Sequence, residues 1–341
     1  MVASSSIHAL QQRGFRVHLA VLGNSGLTWN SDQFGAPPDR IIRLTAPHLL
    51  RRTIQAFDHS LPTLRRAKLY LSLPATLYAL LTPFYHRGYE LVLNTNYLVG
   101  GADFGYIHYP DAKPPLMHQL TPIWRSSLFL AKKIVCNSSW TSQAVERRLG
   151  LRAEVLYPPV HMVSPPPRSK EDLVVGVGRI SPDKNWERFV RIAAGVKKRR
   201  SVKFVIVGHG YDARPGSYCS KLVVLADGKV HLALDVTEEA KWRILSEAKV
   251  LLHTKSAEHF GIGVVEAMSA GAVPVVNRDG GAWTDILEKG RYGYGYSDDS
   301  SAVEAVLNAL DDEALAKQVR VKAAQFSEER FRDRLLSLLK L

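Results

Sequence analysis

Two glutamates flank a glycine-bearing turn that could bind phosphate. Glu258 and Glu266 belong to the segment SAEHFGIGVVE, with Gly261 and Gly263 between them. The apolar residues before this segment predict a strand, and those after Gly263 predict a helix over 264–270. A helix N-terminus presents free backbone N–H groups, and glycines let a phosphate approach them closely. The segment therefore predicts a loop that binds a diphosphate.

The two glutamates suit different parts of a nucleotide sugar. Glu266 is expected in the first turn of the helix, where its carboxylate can accept two hydroxyl hydrogen bonds from a ribose. Glu258 is expected at the loop entrance, nearer to a sugar. Each residue alone also fits an ordinary interpretation, in which Glu266 is a first-turn helix acid and Glu258 is a solvated loop charge.

Two cations follow another predicted strand. The segment GRISPDKN, residues 178–185, places Arg179 and Lys184 just after the strand, where open α/β sheets bind ligands. Arginine offers a fork of donors to phosphate oxygens, and lysine offers a mobile point charge. Such a pair can neutralise a diphosphate without a metal ion.

No metal site is expected from the acidic residues. The pairs Asp298-Asp299 and Asp311-Asp312 stand in polar segments near predicted helix starts, where capping or solvation is their expected role. The two cysteines, Cys136 and Cys219, form no ligand spacing and no disulfide framework.

The candidate residues require a sheet whose strands end at one edge. The second half of the chain alternates strand-like and helical patterns, with strands predicted over 173–178, 202–208, 229–234, 250–254 and 272–277, and helices over 186–198, 238–247 and 264–270. The first half predicts a helix ending at Gly14, an apolar helix around 69–81, and strands over 15–22, 91–94 and 133–137. This alternation is typical of doubly wound α/β domains.

Two such domains are predicted, over residues 1–160 and 161–341, with the linker between 157–160 and the proline cluster 165–167. The last helix is a candidate to cross back to the first domain. A doubly wound domain normally opens with a strand and a phosphate-facing loop. Here a helix over 4–13 comes first, so the first strand and its loop are expected to be missing from this sequence. Either the true start lies upstream or the domain lacks this element.

The charge is concentrated in the first half of the chain. The 341 residues carry a net charge of +13, of which +9 falls in residues 1–160. This asymmetry favours a polyanionic neighbour or a merely soluble basic face. No basic and aromatic strand, zinc pattern or basic helix supports nucleic-acid binding. The uncharged run 69–85, between Lys68 and Arg87, is interpreted either as a peripheral contact with an anionic membrane or as a buried helix.

The motifs of the second half resemble those of glycosyltransferase family 4. The resemblance rests on the two glutamates with seven residues between them, on the Gly-Arg followed by Lys-Asn, on Gly208-His-Gly210 and on FSEERF at 326–331. It implies the GT-B fold, in which two Rossmann-like domains face a central cleft. It also implies a retaining, metal-independent enzyme that uses a nucleotide-diphosphate sugar.

The first half carries a further resemblance in the segments 106–110, 135–141 and 156–160. These are similar to mannosyltransferases of lipid-linked oligosaccharide assembly, which implies GDP-mannose as donor, with a UDP-hexose as the other option, and no cofactor. A glycan or lipid-linked acceptor and a cytoplasmic location, peripheral at the cytosolic membrane face, are the corresponding expectations. A nucleotide-sugar epimerase of the same fold and an inactive donor-binding homologue remain alternatives.

The resemblance also assigns roles by position. Arg179 and Lys184 would stabilise the leaving diphosphate, Glu258 would face the transferred sugar, Glu266 would bind the ribose, and His108 would reach the sugar from the first domain. His108 also fits a core histidine between two tyrosines. The remaining donor-binding positions, which offer backbone groups or close approach, are Gly178, Gly208, Phe260, Gly261, Ile262 and Gly263.

Overall fold

The computed structural model describes residues 1–22, 37–44, 89–95, 102–109, 133–163, 169–210, 214 and 216–341. The predicted apolar helix over 69–81 and the proline cluster 165–167 lie outside these ranges. The chain divides into two units: the first comprises Met1–Asn137, Thr141–Leu156 and Phe331–Leu341, and the second comprises Ser138–Trp140 and Tyr157–Arg330. The domain boundary predicted at residue 160 stays a prediction.

The first unit contains short parallel strands. Strands β1 and β2 form one parallel pair, and β3, β4, β5 and β6 form a four-stranded parallel sheet in chain order. The elements are α1 (Val2–Gln11), β1 (His18–Leu22), β2 (Arg40–Leu44), β3 (Leu93–Asn94), β4 (Phe104–Ile107), β5 (Lys133–Cys136), α2 (Ser139–Leu149) and β6 (Glu154–Val155).

The core of the first unit includes residues from both ends of the chain. Phe104 and Tyr106 are buried on one face of β4, and Ile107 is buried on the other, so both faces of this strand pack against apolar residues. Phe104 and Tyr106 pack with Val135 on β5 and with Phe331 and Leu335 near the C-terminus. Tyr106 also donates a hydrogen bond to the backbone oxygen of Leu156, at 2.9 Å.

The second unit is built on a six-stranded parallel sheet flanked by helices. Its elements are β7 (Glu171–Arg179), α3 (Trp186–Lys197), β8 (Lys203–His209), α4 (Tyr218–Ala226), β9 (His231–Leu234), α5 (Glu238–Glu247), β10 (Ala248–His253), α6 (Ile262–Ser269), β11 (Val273–Asn277), β12 (Tyr294–Tyr296), α7 (Asp299–Leu310), α8 (Glu313–Ala323) and α9 (Glu328–Leu339). Helix α9 extends into the C-terminal segment of the first unit.

The strand order of this sheet creates a topological switch. The order is β12-β11-β10-β7-β8-β9, so the chain runs outward from β7 in one direction and then outward from β10 in the other. Two apolar layers cover the faces of the sheet, one with α3 and α7 and one with α5, α6 and α8. Ligands of such sheets bind beyond the carboxyl ends of the strands at the switch, here between β7 and β10.

The α/β class predicted from the sequence is confirmed, and α5 has the predicted bounds. Four elements of the first unit, β2, β4, α2 and β6, were not predicted, nor were α4 and β12 in the second. Asp298 and Asp312 cap α7 and α8, as predicted for acids near helix starts. No helix in the described ranges is long and apolar enough to cross a membrane.

Candidate functional site

Strands β7 and β8 carry facing glycines one residue before their carboxyl ends. Gly178 lies opposite Gly208 in the parallel register. A Cβ atom on Gly208 would clash with the side chain of Ile180, and one on Gly178 would lie 3.4 Å from Lys184 Cε. The two glycines therefore allow the segment after β7 to fold back closely over the edge of the sheet.

Lys184 and Glu258 form an ion pair across the switch. Lys184 follows β7 at the end of the 3-10 helix Pro182–Lys184, and Glu258 follows β10. Lys184 Nζ lies 2.8 Å from Glu258 Oε2, and the two side chains are only 16% and 10% exposed. Thr254 Oγ donates to the backbone oxygen of Lys184 at 2.9 Å and so joins the two segments. The structure thus brings together two candidates that are 74 residues apart in sequence.

Glu258 has two further cationic or ionisable neighbours. His253 Nε2 lies 3.3 Å from Glu258 Oε2, without the alignment of a hydrogen bond, and Lys255 Nζ lies 3.4 Å from Oε1. Burial alone raises the pKa of Glu258, but His253, Lys184 and Lys255 together hold this pKa well below its usual value. Glu258 is therefore an anion at neutral pH and not a solvated loop charge.

The backbone of Glu258 is held by a second glycine turn. Gly281 N donates to Glu258 O at 2.7 Å, and Gly280 forms a bridge with Glu258. Gly280 has a φ of +94°, and a Cβ atom there would clash with the backbone oxygen of Glu258. This turn follows β11, so strands β10 and β11 both position the carboxylate.

The loop after Glu258 leads into the N-terminus of α6. Gly261 takes a φ of +113° and is the N-cap of α6, where no side chain caps the first turn. A Cβ atom on Gly263 would lie 3.4 Å from Val177 Cβ on β7, so this glycine lets the helix pack closely on the strand. Phe260 is buried against Tyr157 and Phe326 and anchors the loop. The backbone N–H groups of this turn could bind an anion, and the phosphate-binding role expected for this loop stays a prediction.

Glu266 lies one turn later than predicted. Because α6 begins at Ile262, two residues earlier than the predicted start at 264, Glu266 is the fifth helical residue and stands in the second turn. Its Oε1 lies 3.2 Å from Lys241 Nζ on α5, and the carboxylate is 12% exposed. Burial raises the pKa of Glu266, and the ammonium of Lys241 opposes this shift.

Arg179 extends into solvent at the end of β7. Its guanidinium is 63% exposed and lies 3.6 Å from Asp183 Oδ2, while its backbone oxygen accepts a hydrogen bond from Trp186 Nε1 at 2.8 Å. Asp183 also lies 3.6 Å from Lys255 Nζ. The cations Arg179, Lys184 and Lys255 therefore share the carboxylates of Asp183 and Glu258.

His108 belongs to the first unit, directly after β4. Its Nε2 lies 2.9 Å from the backbone oxygen of Thr95, and its ring contacts that of Tyr106. Burial lowers the pKa of His108, and the Thr95 oxygen partly offsets this. His108 is therefore a half-buried, largely neutral imidazole at neutral pH. Its predicted role toward a sugar stays a prediction.

Within the described ranges there is no cluster of three His, Cys, Asp or Glu side chains with the geometry of a metal site. Cys136 and Cys219 are both buried, and neither forms a disulfide.

Sequence reasoning missed three residues that contact the candidate site: His253, Lys255 and Lys241. His253 and Lys255 flank the end of β10 only five and three residues before Glu258, so charge spacing in the segment HTKSAEH could have indicated them. Lys241 could not be found in this way, because it reaches Glu266 from a neighbouring helix 25 residues away in sequence.

Comparison with protein families and curated relatives identifies similar proteins. Residues 160–326 match the model of the family described as glycosyl transferases group 1. A GDP-Man:Man(3)GlcNAc(2)-PP-Dol alpha-1,2-mannosyltransferase from Dictyostelium discoideum is 25% identical over 62% of this chain and 47% of its own length. The protein of the same name from Mus musculus is 24% identical over 72% of this chain and 62% of its own length. The chain thus spans about half to three-fifths of the length of these relatives.

Solved structures show the fold. HepE from Anabaena, in complex with UDP, superposes with a TM-score of 0.71 over 99% of this chain and 96% of its own, at 15% identity. At this identity the likeness shows the fold alone, which is the GT-B fold expected from the sequence.

Proposed function

Because residues 160–326 belong to the group 1 glycosyl transferases, we propose that this chain transfers mannose from GDP-mannose to a lipid-linked glycan. The observation that carries the proposal is the Lys184–Glu258 pair, which spans the switch between β7 and β10 where α/β sheets bind their ligands. The names of the curated relatives support GDP-mannose as donor and a dolichol-linked acceptor.

The leaving diphosphate gathers negative charge as the sugar bond breaks. The groups that can stabilise this charge without a metal ion lie at or after the carboxyl ends of β7 and β10. They are Arg179, Lys184 and the N-terminal N–H groups of α6. The exposed Arg179 is free to turn toward a phosphate in a way that a buried guanidinium is not. Preorganised donors of this kind contribute most where water is excluded.

Glu258 acts as an acceptor of sugar hydroxyl hydrogen bonds. Its depressed pKa keeps it ionised, so it does not serve as a proton donor at neutral pH. We propose retention with attack from the front face, in which a donor phosphate oxygen takes the acceptor proton. An epimerase would need acid and base groups on the sugar, and Glu258 cannot supply the acid.

Glu266 is proposed to bind the ribose, with Lys241 holding the carboxylate in place at 3.2 Å. Burial raises the pKa of Glu266 because it destabilises the charged carboxylate. A hydrogen bond from a ribose hydroxyl would therefore also stabilise this buried charge. Loss of this side chain removes an interaction made in both the ground and transition states, and it therefore weakens donor binding.

Donor binding can be tested by calorimetry in the presence of a chelator. We expect the chain to bind GDP-mannose more tightly than UDP-glucose or UDP-N-acetylglucosamine, and Glu266→Ala to weaken this binding by about tenfold or more, or ~1.4 kcal/mol. Glu239→Ala on α5, whose side chain is exposed, is the matched control and should bind as the unsubstituted chain does.

Transfer is then measured with radiolabelled GDP-mannose and lipid-linked oligosaccharide acceptors. Mannose in the lipid fraction supports the proposal, whereas an isomerised free donor indicates the epimerase. Binding of GDP-mannose without either product identifies an inactive donor-binding homologue. Failure of all three nucleotide sugars to bind would overturn the proposed function.

A further inference from the structure

Lys255 stands beside the proposed diphosphate site and has no role in the proposed reaction so far. It follows β10 by two residues, its side chain is only 17% exposed, and its Nζ lies 3.4 Å from Glu258 Oε1. Lys184 contacts the other oxygen, Oε2, at 2.8 Å. The two lysines therefore bind opposite oxygens of one carboxylate.

The arrangement creates a conflict for Lys184. A lysine that binds the leaving diphosphate cannot also neutralise Glu258 fully through its 2.8 Å contact, since its single positive charge is then shared between two anions. When Lys184 leaves, Glu258 Oε2 keeps only His253 Nε2, at 3.3 Å, as an ionisable neighbour among the described residues. Glu258 is 8% exposed, and a buried carboxylate that loses a cation is destabilised. A second cation that stays with Glu258 removes this conflict.

We propose that Lys255 is a positioning residue that keeps Glu258 compensated while Lys184 moves to the diphosphate. This inference rests on the proposed function. Lys255 is suited to this positioning role because it approaches Oε1, the oxygen that Lys184 does not contact. Asp183 Oδ2 also lies 3.6 Å from the ammonium of Lys255 and helps to hold it in place. Lys255 thus acts on the diphosphate through Glu258 and Lys184 and not by direct contact.

The test is a set of GDP titrations by calorimetry, in a chelator and without any acceptor. Lys255→Met removes the cation at Oε1, so Glu258 retains Lys184 more strongly, and we expect GDP affinity to fall by about tenfold. In a Glu258→Gln background no carboxylate retains Lys184, and the same Lys255→Met change should alter GDP affinity by less than about twofold.

A second background keeps the test decisive if Glu258→Gln does not fold. In Lys184→Met the group through which Lys255 acts is gone, so adding Lys255→Met should again leave GDP affinity within about twofold. A lysine that touched the phosphates itself would lose affinity in both backgrounds. That result would overturn the positioning role.

Two single variants complete the experiment. Lys255→Arg keeps the positive charge and should restore GDP affinity to within about twofold of the unsubstituted chain. Lys249→Met is the control, because Lys249 lies at the other end of β10 and pairs with Asp172 at 2.7 Å. Unchanged affinity in Lys255→Met would overturn this inference alone, whereas no GDP binding by the unsubstituted chain would overturn the proposed function with it.

Discussion

Two buried charges in the second unit are compensated in different ways. Glu258 is surrounded by cationic side chains, which keep it ionised despite its burial. Among the described residues, the ammonium of Lys170 contacts no carboxylate, and its partners are backbone oxygens of Leu245, Ala248 and Ala270 at 3.5, 2.7 and 2.8 Å. These oxygens lie at the C-terminal ends of α5 and α6, where the helix dipole favours a cation. The first charge belongs to the candidate site, and the second joins two helix ends.

Lys170 should give the protein a measurable pH dependence. Burial, aided by the nearby guanidinium of Arg320, lowers the pKa of Lys170 to about 7. The unfolded chain then binds more protons than the folded chain between pH 7 and the ordinary lysine value, so this group makes stability rise with pH over that window. Between pH 7.5 and 9 we expect the free energy of unfolding to rise by roughly 1 kcal/mol per pH unit relative to Lys170→Met.

Urea unfolding of the two proteins at several pH values measures this difference. Other titrating groups are common to both chains and cancel in the comparison. Parallel stability curves for the unsubstituted chain and Lys170→Met would show that the Lys170 ammonium keeps its ordinary proton affinity in the fold.

At the scale of elements, two turns determine where Glu258 stands. The segment after β10 carries the glutamate, and the turn after β11 holds its backbone through Gly280 and Gly281. Neither turn is regular secondary structure. Both depend on backbone conformations or close approaches that side chains would prevent.

Gly280→Ala should disturb the site more than a glycine substitution that only restricts the backbone. Alanine at a φ of +94° is strained, and its Cβ would also clash with the backbone oxygen of Glu258. Gly228→Ala is the matched control, because Gly228 has a φ of +65° with open space around it. We expect the control to lose about 1 kcal/mol of stability and Gly280→Ala to lose about 2–3 kcal/mol.

Denaturant unfolding gives the stabilities, and GDP titration reports the site. Gly280→Ala should also weaken GDP binding, while Gly228→Ala should not. Equal losses of stability with unchanged GDP binding in both variants would show that the turn after β11 does not position Glu258.

The sequence predicted the elements that carry a strong local pattern. The buried apolar run of β7 and the amphipathic spacing of α3 made both recognisable, and each has nearly the predicted bounds. Strand β2 was missed because it lacks an apolar run, since Arg40 and Arg43 stand on either side of only two isoleucines. The start of α6 was misplaced because Gly261 can cap a helix with a positive φ that the pattern does not reveal.

The candidate site could be predicted only in part for a similar reason. Arg179, Lys184, Glu258 and Glu266 each stand in a recognisable motif. Their contacts depend on which strands are neighbours, and the adjacency of β7 and β10 follows from the switch in strand order and not from any local spacing. Pairs such as Lys184 with Glu258 are therefore found only in three dimensions.

At the scale of the whole molecule, the first unit contains residues from distant parts of the chain. Phe331–Leu341 follow the second unit in sequence but belong to the first unit. Phe331, Leu335, Leu336 and Leu338 are buried there with Phe104, Tyr106 and Val135. The C-terminal residues are therefore part of the core of the first unit.

A chain ending at Arg330 should lose structure in the first unit and keep it in the second. Burying one large apolar side chain contributes about 1.5–3 kcal/mol, so four of them contribute roughly 6 kcal/mol or more, which is comparable with the whole stability of a typical domain, about 5–15 kcal/mol.

Hydrogen exchange followed by mass spectrometry can compare the units directly. Peptides from β4 and β5 should lose protection, and those from β7 and β8 should keep it. A chain ending at Leu339, which lacks only the exposed Lys340 and Leu341, is the control and should match the full chain. Full protection of β4 and β5 in the chain ending at Arg330 would show that the first unit does not depend on its C-terminal segment.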